Sequence, residues 1–300
     1  MVRADGIAAV AFTGSQSGGL ALWRAANERE VVIPVYAEMG TVNPVVVTPA
    51  AATGISSIAA GFVGSYTLGA GQFCTKPGLL FAPTGSHAAM AVAKALRAAP
   101  PPAHMLTRAI AQSVRDALPR LEGAGARLVD LVEGPADGWS APSAVLEAPI
   151  AMLRRGSDLL EECFGPVALV VEYADETELR DALAQLQGSL AAAVMTSSDG
   201  HDPDAGSIVA LLAPKVGRVA VDGWPTGVAV TWAQHHGGPW PATTTPWATS
   251  VGAAALDRFV RPVTYQSAPS AWRPRALQDD NPWRIPRRID GVVQRPAESR

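Results

Sequence analysis

The sequence predicts an α/β fold built on a mainly parallel sheet. Apolar, β-branched runs alternate with helical patterns from the first residues onward, and Gly- or Ser-rich turns separate them. The composition agrees. The 300 residues are 48% hydrophobic and 17% charged, below the usual ~25% charged, so the chain can bury a large core.

Each element follows in order. Ile7 to Phe12 reads as a buried strand, Thr13 to Ser17 as a turn, Gly18 to Glu30 as a helix and Val31 to Tyr36 as the next strand, which makes one βαβ step. Val45 to Val47 is a strand, Ala50 to Val63 a helix of small residues, and Leu68 to Gly78 a Gly/Cys loop. A short strand at Leu79 to Ala82 precedes helices at Gly85 to Ala99 and Met105 to Leu118. Thr107 caps the second helix only if it starts late.

Gly123 and Gly125 break the chain before a strand at Arg127 to Val132, and Val167 to Tyr173 is another. Leu179, Ala182, Leu183 and Leu186 recur at i, i+3, i+4 and i+7, so Thr177 to Gln187 is an amphipathic helix. Strands follow at Leu190 to Met195 and Arg218 to Val221. From Gly223 to Thr249 the chain turns rich in Gly, Pro, Trp and Thr, which predicts a long functional loop or a domain crossing. The last thirty or so residues read as an extended arm.

Charge and hydropathy exclude several function classes. With 24 Lys and Arg against 27 Asp and Glu, a formal net charge of -3, and no basic stripe, nucleic acid is not an expected partner. The most apolar stretch, Ser143 to Leu153, is interrupted by Glu147 and Pro149. No run reaches the ~18–20 residues of a membrane span, and the N-terminus lacks the order of a signal peptide, so no membrane partner and a cytoplasmic location are expected. Cys74 and Cys163 make no disulfide framework.

Four places have residues suited to chemistry. The turn from Phe12 to Gly18 lies between strand and helix, where free N–H groups favour a phosphate; a plain turn needing small residues reads equally well. Cys74 sits in a loop made rigid by Gly69, Gly71, Pro77 and Gly78, which suits a nucleophile, although a free Cys is more often a small buried hydrophobe. Lys76 either favours the thiolate or points to water.

Glu38 ends an apolar strand. Desolvation there predicts a raised carboxyl pKa, as a general base needs, whereas the alternative is a strand-end Glu reaching solvent. Glu161 and Glu162, before the turn at Cys163 to Pro166, read as surface charge, and Cys163 reads as core. His235 and His236 are adjacent but lack a third ligand at sensible spacing, so no metal is expected.

Taken in order, Phe-Thr-Gly-Ser at 12–15, Glu-Met-Gly at 38–40, Asn-Pro at 43–44, Gly-Gln-Phe-Cys at 71–74 and Glu-Glu-Cys-Phe-Gly-Pro-Val at 161–167 resemble the aldehyde dehydrogenase superfamily. The fuller strings Glu38 to Pro44, Gly71 to Gly78, Asp222 to Val228 and His236 to Thr243 look most like its 2-ketoglutarate semialdehyde (2,5-dioxovalerate) dehydrogenases. The resemblance implies an aldehyde dehydrogenase-like catalytic domain with a partial Rossmann-type cofactor-binding unit. Its implied divisions are residues 1–40 for the remnant of the dinucleotide-binding domain, 41–239 for the catalytic domain, and 240–300 for a crossing segment and arm.

The resemblance also implies roles. Cys74 is the thiolate that attacks the aldehyde, Glu38 activates water to hydrolyse the thioester, and the Cys74 N–H forms half of an oxyanion hole. Gly14 and Ser15 lie at the pyrophosphate of NADP or NAD, Glu162 holds the nicotinamide ribose, and Phe164 lies beside the ring. Family members carry roughly two hundred residues before Phe-Thr-Gly-Ser, including the Asn of the oxyanion hole. The resemblance is therefore to a C-terminal portion, which predicts either a homo-oligomer or a partner N-terminal half, and negligible NAD(P)-linked turnover by these residues alone. A non-catalytic remnant or interaction subunit, and a nicotinamide-independent thiol esterase, are the competing readings.

Overall fold

The structure is a computed structural model that describes residues 1–198, 200–229 and 231–296. It divides into two compact units, Met1–Arg258 and Phe259–Arg300. Within the first, β1 (Val10–Gly14), α1 (Gln16–Asn27) and β2 (Val35–Met39) form a βαβ unit whose two strands pair in parallel, Gly14 opposite Met39. Ile33, Val35, Ala37 and Met39 bury one face of it against Ala26 of α1.

The larger sheet contains β3 (Pro44–Val47), β4 (Leu79–Pro83), β5 (Arg127–Val132), β6 (Ser143–Glu147), β7 (Val167–Tyr173), β8 (Ser189–Met195) and β9 (Val216–Val221). Their order is β5-β6-β7-β4-β3-β8-β9, and every neighbouring pair is parallel except β5 with β6. Near-continuous apolar strands are what a sheet buried on both faces requires. Helices α2 (Ile55–Tyr66) and α3 (Ala88–Ala98) cover the face of Val45, Val47, Leu80 and Val170. The opposite face, with Val46, Leu79, Phe81 and Leu169, packs on α4 (Arg108–Gly123), α5 (Glu176–Gln185) and α6 (Ala205–Leu212). Odd and even residues of one strand thus serve two cores.

Element boundaries differ from the sequence reading for physical reasons. The first two strands begin three and four residues later than Ile7 and Val31, because pairing sets their register and Pro34, with no N–H, cannot extend the ladder. Val31 and Val32 stay 70% and 58% exposed. The helix from Ala50 opens as a 3-10 turn over Ala50–Gly54 and becomes α-helical only at Ile55. Helix α4 does start late: Thr107 caps it, accepting from the Ile110 N–H at 3.2 Å. Strand β6 and helix α6 have no counterpart in the sequence reading.

The second unit contains a small antiparallel hairpin, β10 (Arg287–Ile289) with β11 (Val292–Gln294). Among the described residues no helix is long and apolar enough to cross a membrane.

Candidate active site

The chemistry-bearing residues gather between two strand ends. Glu38 lies near the carboxyl end of β2, whereas Asn43, Cys74 and Glu162 precede the amino ends of β3, β4 and β7. The long segment after β9 closes the group. It returns beside β2, where the Met39 N–H donates to the Ala242 carbonyl at 2.8 Å and the Thr244 N–H to Ala37 at 3.1 Å. Its Gly-Gly pair also lets it pass close to the start of β8, where a Cβ on Gly238 would lie 2.4 Å from the Ser189 carbonyl oxygen.

That return carries His236 onto Glu38. The imidazole Nδ1 hydrogen-bonds Glu38 Oε2 at 2.8 Å, and Nε2 faces Cys74 Sγ at 3.7 Å. Ser250 Oγ donates to the same Glu38 oxygen at 2.5 Å, while the His236 N–H donates to Thr249 Oγ1 at 2.9 Å. Glu38 and His236 are buried, 6% and 7% exposed, and Cys74 is half-buried. The three residues present ligand atoms within 4.8 Å of one another.

Electrostatics follow from this contact. Hydrogen bonds to Cys74 and Glu38, helped by their charges and opposed by burial, raise the His236 pKa to about 10. Burial pushes the Glu38 carboxyl up, but the His236 hydrogen bond and charge, Ser250 and Cys74 together hold it below its ordinary value. This corrects the sequence expectation of a raised Glu38 pKa. Desolvation is present, but a partner 198 positions away outweighs it.

Asn43 fixes the Cys74 loop. Fully buried at φ +46°, it donates from Nδ2 to the carbonyls of Cys74 at 2.9 Å and Lys76 at 3.1 Å. Its Oδ1 accepts from the Ala191 N–H at 3.0 Å and Thr41 Oγ1 at 3.0 Å. Gly71, at φ +70°, lets the loop lie against Gly165, where a Cβ would come within 2.2 Å of the backbone. Lys76 points neither to Cys74 nor to water. It is 2% exposed and donates to the Val167 carbonyl at 2.9 Å. Burial lowers its pKa, against the charges of Cys163 and Glu162. Cys163 is core, and burial pushes its thiol up.

A second cleft, of about 280 Å³, opens beside this group. It is lined by Ser15, Gln16, Gly40, Thr41, Glu162 and Ser189, among others. Ser15 caps α1, accepting from the Gly18 N–H at 3.2 Å, so the free N–H groups of that helix start lie at the cleft. Gly14 backs it, its carbonyl accepting from the Gly40 N–H at 3.1 Å. Gly40 makes room for Glu162, because a Cβ there would lie 1.6 Å from Glu162 Oε2. Burial raises the Glu162 carboxyl to about 7, against the pull of Lys76 and the Thr41 N–H. Ser189 Oγ is buried with no partner among the described residues. Phe164 is half-buried in the same turn as Glu162.

The sequence profile of the aldehyde dehydrogenase family matches residues 1–239. The chain belongs to that family. Alpha-ketoglutaric semialdehyde dehydrogenase 2 of Azospirillum brasilense is 43% identical over 303 residues, covering 98% of this chain and 57% of that protein. Alpha-ketoglutaric semialdehyde dehydrogenase of Acinetobacter baylyi is 37% identical over 293 residues, covering 96% of this chain and 55% of that protein. The chain therefore spans little more than half the length of these relatives. Methylmalonate-semialdehyde dehydrogenase from Oceanimonas doudoroffii shares the fold, at a TM-score of 0.72 and 20% identity over 87% of this chain and 54% of that one.

Sequence reasoning singled out Cys74, Glu38, Gly14, Ser15, Glu162 and Phe164. The structure brings Cys74 to Glu38, and places Gly14, Ser15 and Glu162 around one cleft. It adds His236, Ser250 and Asn43, which sequence reasoning gave no catalytic part. The signal for His236 was its place at the head of the string His236 to Thr243.

Proposed function

We propose that the protein oxidises an aldehyde to a carboxylate through a Cys74 thioester, with NAD or NADP as hydride acceptor and 2-ketoglutarate semialdehyde as substrate. The observation that carries this reading is Cys74 Sγ at 3.7 Å from an imidazole whose other nitrogen is held by Glu38. A nucleophile beside a base that is itself oriented by a third group is the arrangement covalent catalysis uses. The family and the two semialdehyde dehydrogenase relatives support the substrate class.

The residues divide the work. His236 Nε2 takes the Cys74 thiol proton, and Glu38 stabilises the imidazolium through Nδ1. Asn43 fixes the carbonyls of Cys74 and Lys76, which sets the direction from which the sulfur attacks. Once the imidazolium has released that proton to solvent, the Glu38–His236 pair accepts one from the water that attacks the acyl carbon in the hydrolytic half-reaction.

The second cleft carries groups suited to part of a dinucleotide. It presents a helix N-terminus suited to phosphate, a carboxylate at Glu162 suited to ribose hydroxyls, and the unpartnered Ser189 hydroxyl. When bound there, the nicotinamide supplies the hydride acceptor.

The test follows reduced nicotinamide from 2-ketoglutarate semialdehyde with NAD or NADP, using the purified protein alone and co-expressed with the first half of a curated relative. Signal lost in Cys74→Ala is expected in at least the second format. Its absence from both, with no acyl adduct at Cys74 by mass spectrometry, would overturn the reading.

A further inference from the structure

We propose that Cys74 and His236 also form a binding site for a soft divalent cation, Zn²⁺ or Cd²⁺, whose occupancy blocks the nucleophile. The distance between the two donor atoms is the first argument. At Zn–S of ~2.3 Å and Zn–N of ~2.0–2.1 Å, a thiolate and an imidazole on one tetrahedral ion stand about 3.5 Å apart. Here they stand 3.7 Å apart.

Orientation is the second argument. Glu38 Oε2 holds His236 Nδ1 at 2.8 Å, so Nε2 is the nitrogen turned toward the sulfur. A carboxylate behind a ligating imidazole is the arrangement that fixes its ring and raises its donor strength. Ser250 Oγ in turn fixes that carboxylate at 2.5 Å. Third, the ligand atoms of Cys74, His236 and the supporting Glu38 all lie within 4.8 Å of one another. Cys74 is half-buried rather than core, unlike Cys163.

Binding is an exchange of ligands without redox change. The cation sheds two waters and forms one bond to Cys74 Sγ and one to His236 Nε2, and the thiol proton leaves to solvent. Waters keep the remaining positions. With two protein ligands rather than the four of a structural zinc site, the ion stays exchangeable. Binding itself rests on geometry alone. Its inhibitory consequence rests on the reading of Cys74 as the nucleophile.

The experiment titrates the full chain with Cd²⁺ and reads the ultraviolet thiolate-to-cadmium charge-transfer band, with Zn²⁺ as competitor. One Cd²⁺ per chain is expected, with the band lost in Cys74→Ser and kept in Cys163→Ala. Glu38→Gln should weaken binding about 10- to 100-fold, and His236→Gln should weaken it further. Native affinity in His236→Gln, or a band that follows Cys163, would overturn the proposal. Circular dichroism checks each variant's fold, and cadmium NMR of the native protein, which separates sulfur–nitrogen from all-oxygen ligation, decides the matter if a variant unfolds. A bound cation in a protein that oxidises no aldehyde leaves the site standing and removes the enzymatic reading. Turnover insensitive to Cd²⁺ and Zn²⁺ does the reverse.

Discussion

Replacing His236 by Gln removes the imidazole and leaves an uncharged side chain of similar reach between Cys74 and Glu38. The rise of the His236 pKa from 6.5 to about 10 corresponds to about 5 kcal/mol at 1.36 kcal/mol per unit. Hydrogen bonds to Cys74 and Glu38, with their charges, set that rise against the opposing burial. An ordinary thiol of pKa ~8.5 is only about 3% ionised at pH 7. His236→Gln should slow iodoacetamide alkylation of Cys74 at neutral pH by up to about 30-fold, while Cys163 stays unlabelled in both proteins because it is core. Peptide mapping by mass spectrometry over a pH series is the assay. Alkylation of the variant at the native rate, with the native pH dependence, would refute the argument that His236 takes the thiol proton.

Four further outcomes are expected. Glu38→Gln should let acyl-Cys74 accumulate from an activated ester, with deacylation slowed about 100-fold or more, as intact-mass time courses will show. Gly40→Ala places a Cβ 1.6 Å from Glu162 Oε2; the carboxylate must swing away, so nicotinamide affinity should fall about 10- to 100-fold, the value of a hydrogen bond to a charged group, with Cys74 alkylation unchanged. Asn43→Ala leaves the Ala191 N–H and the Cys74 carbonyl unpaired at a left-handed φ, and urea denaturation should show a loss of about 3 kcal/mol or more. The Glu38–His236 pair should stabilise the fold fully between the ordinary carboxyl and imidazole pKa values, about pH 4.3 to 6.5. Glu38 is lowered, so its share is lost as pH falls through its folded pKa; His236 is raised, so its share fades as pH climbs toward about 10. Comparing denaturation midpoints with the Glu38→Gln, His236→Gln double variant across pH tests both signs.

The sheet was legible because its strands advertise themselves. Val45 to Val47, Leu79 to Ala82 and Val167 to Tyr173 are apolar runs bounded by turn residues, and a strand buried on both faces has no other way to look. Strand β6 was hidden inside Ser143 to Leu153, where Pro149 and Glu147 made the run look broken although the strand ends at Glu147. Helix α6 is eight residues of Ala, Gly, Ser and aliphatics, too short for a periodic pattern to stand out.

The site was legible in part, for a reason that follows from how it is assembled. Cys74 sits in a Gly-rich loop and Glu38 near the end of an apolar strand that runs into Gly40, so the sequence around each one marks it. His236 is marked by nothing local except its string, because its value comes from two partners 162 and 198 positions away. The direction of the Glu38 pKa failed for the same cause. Burial is readable from neighbouring apolar residues, but the charge that answers it is supplied by chain returning after β9. Lys76 repeats the lesson with opposite sign: two residues from Cys74 in sequence, it turns inward and donates to Val167 of β7. Proximity along the chain predicts the shape of a loop, whereas the protonation of the groups it presents is decided by the segments that the sheet order brings across it.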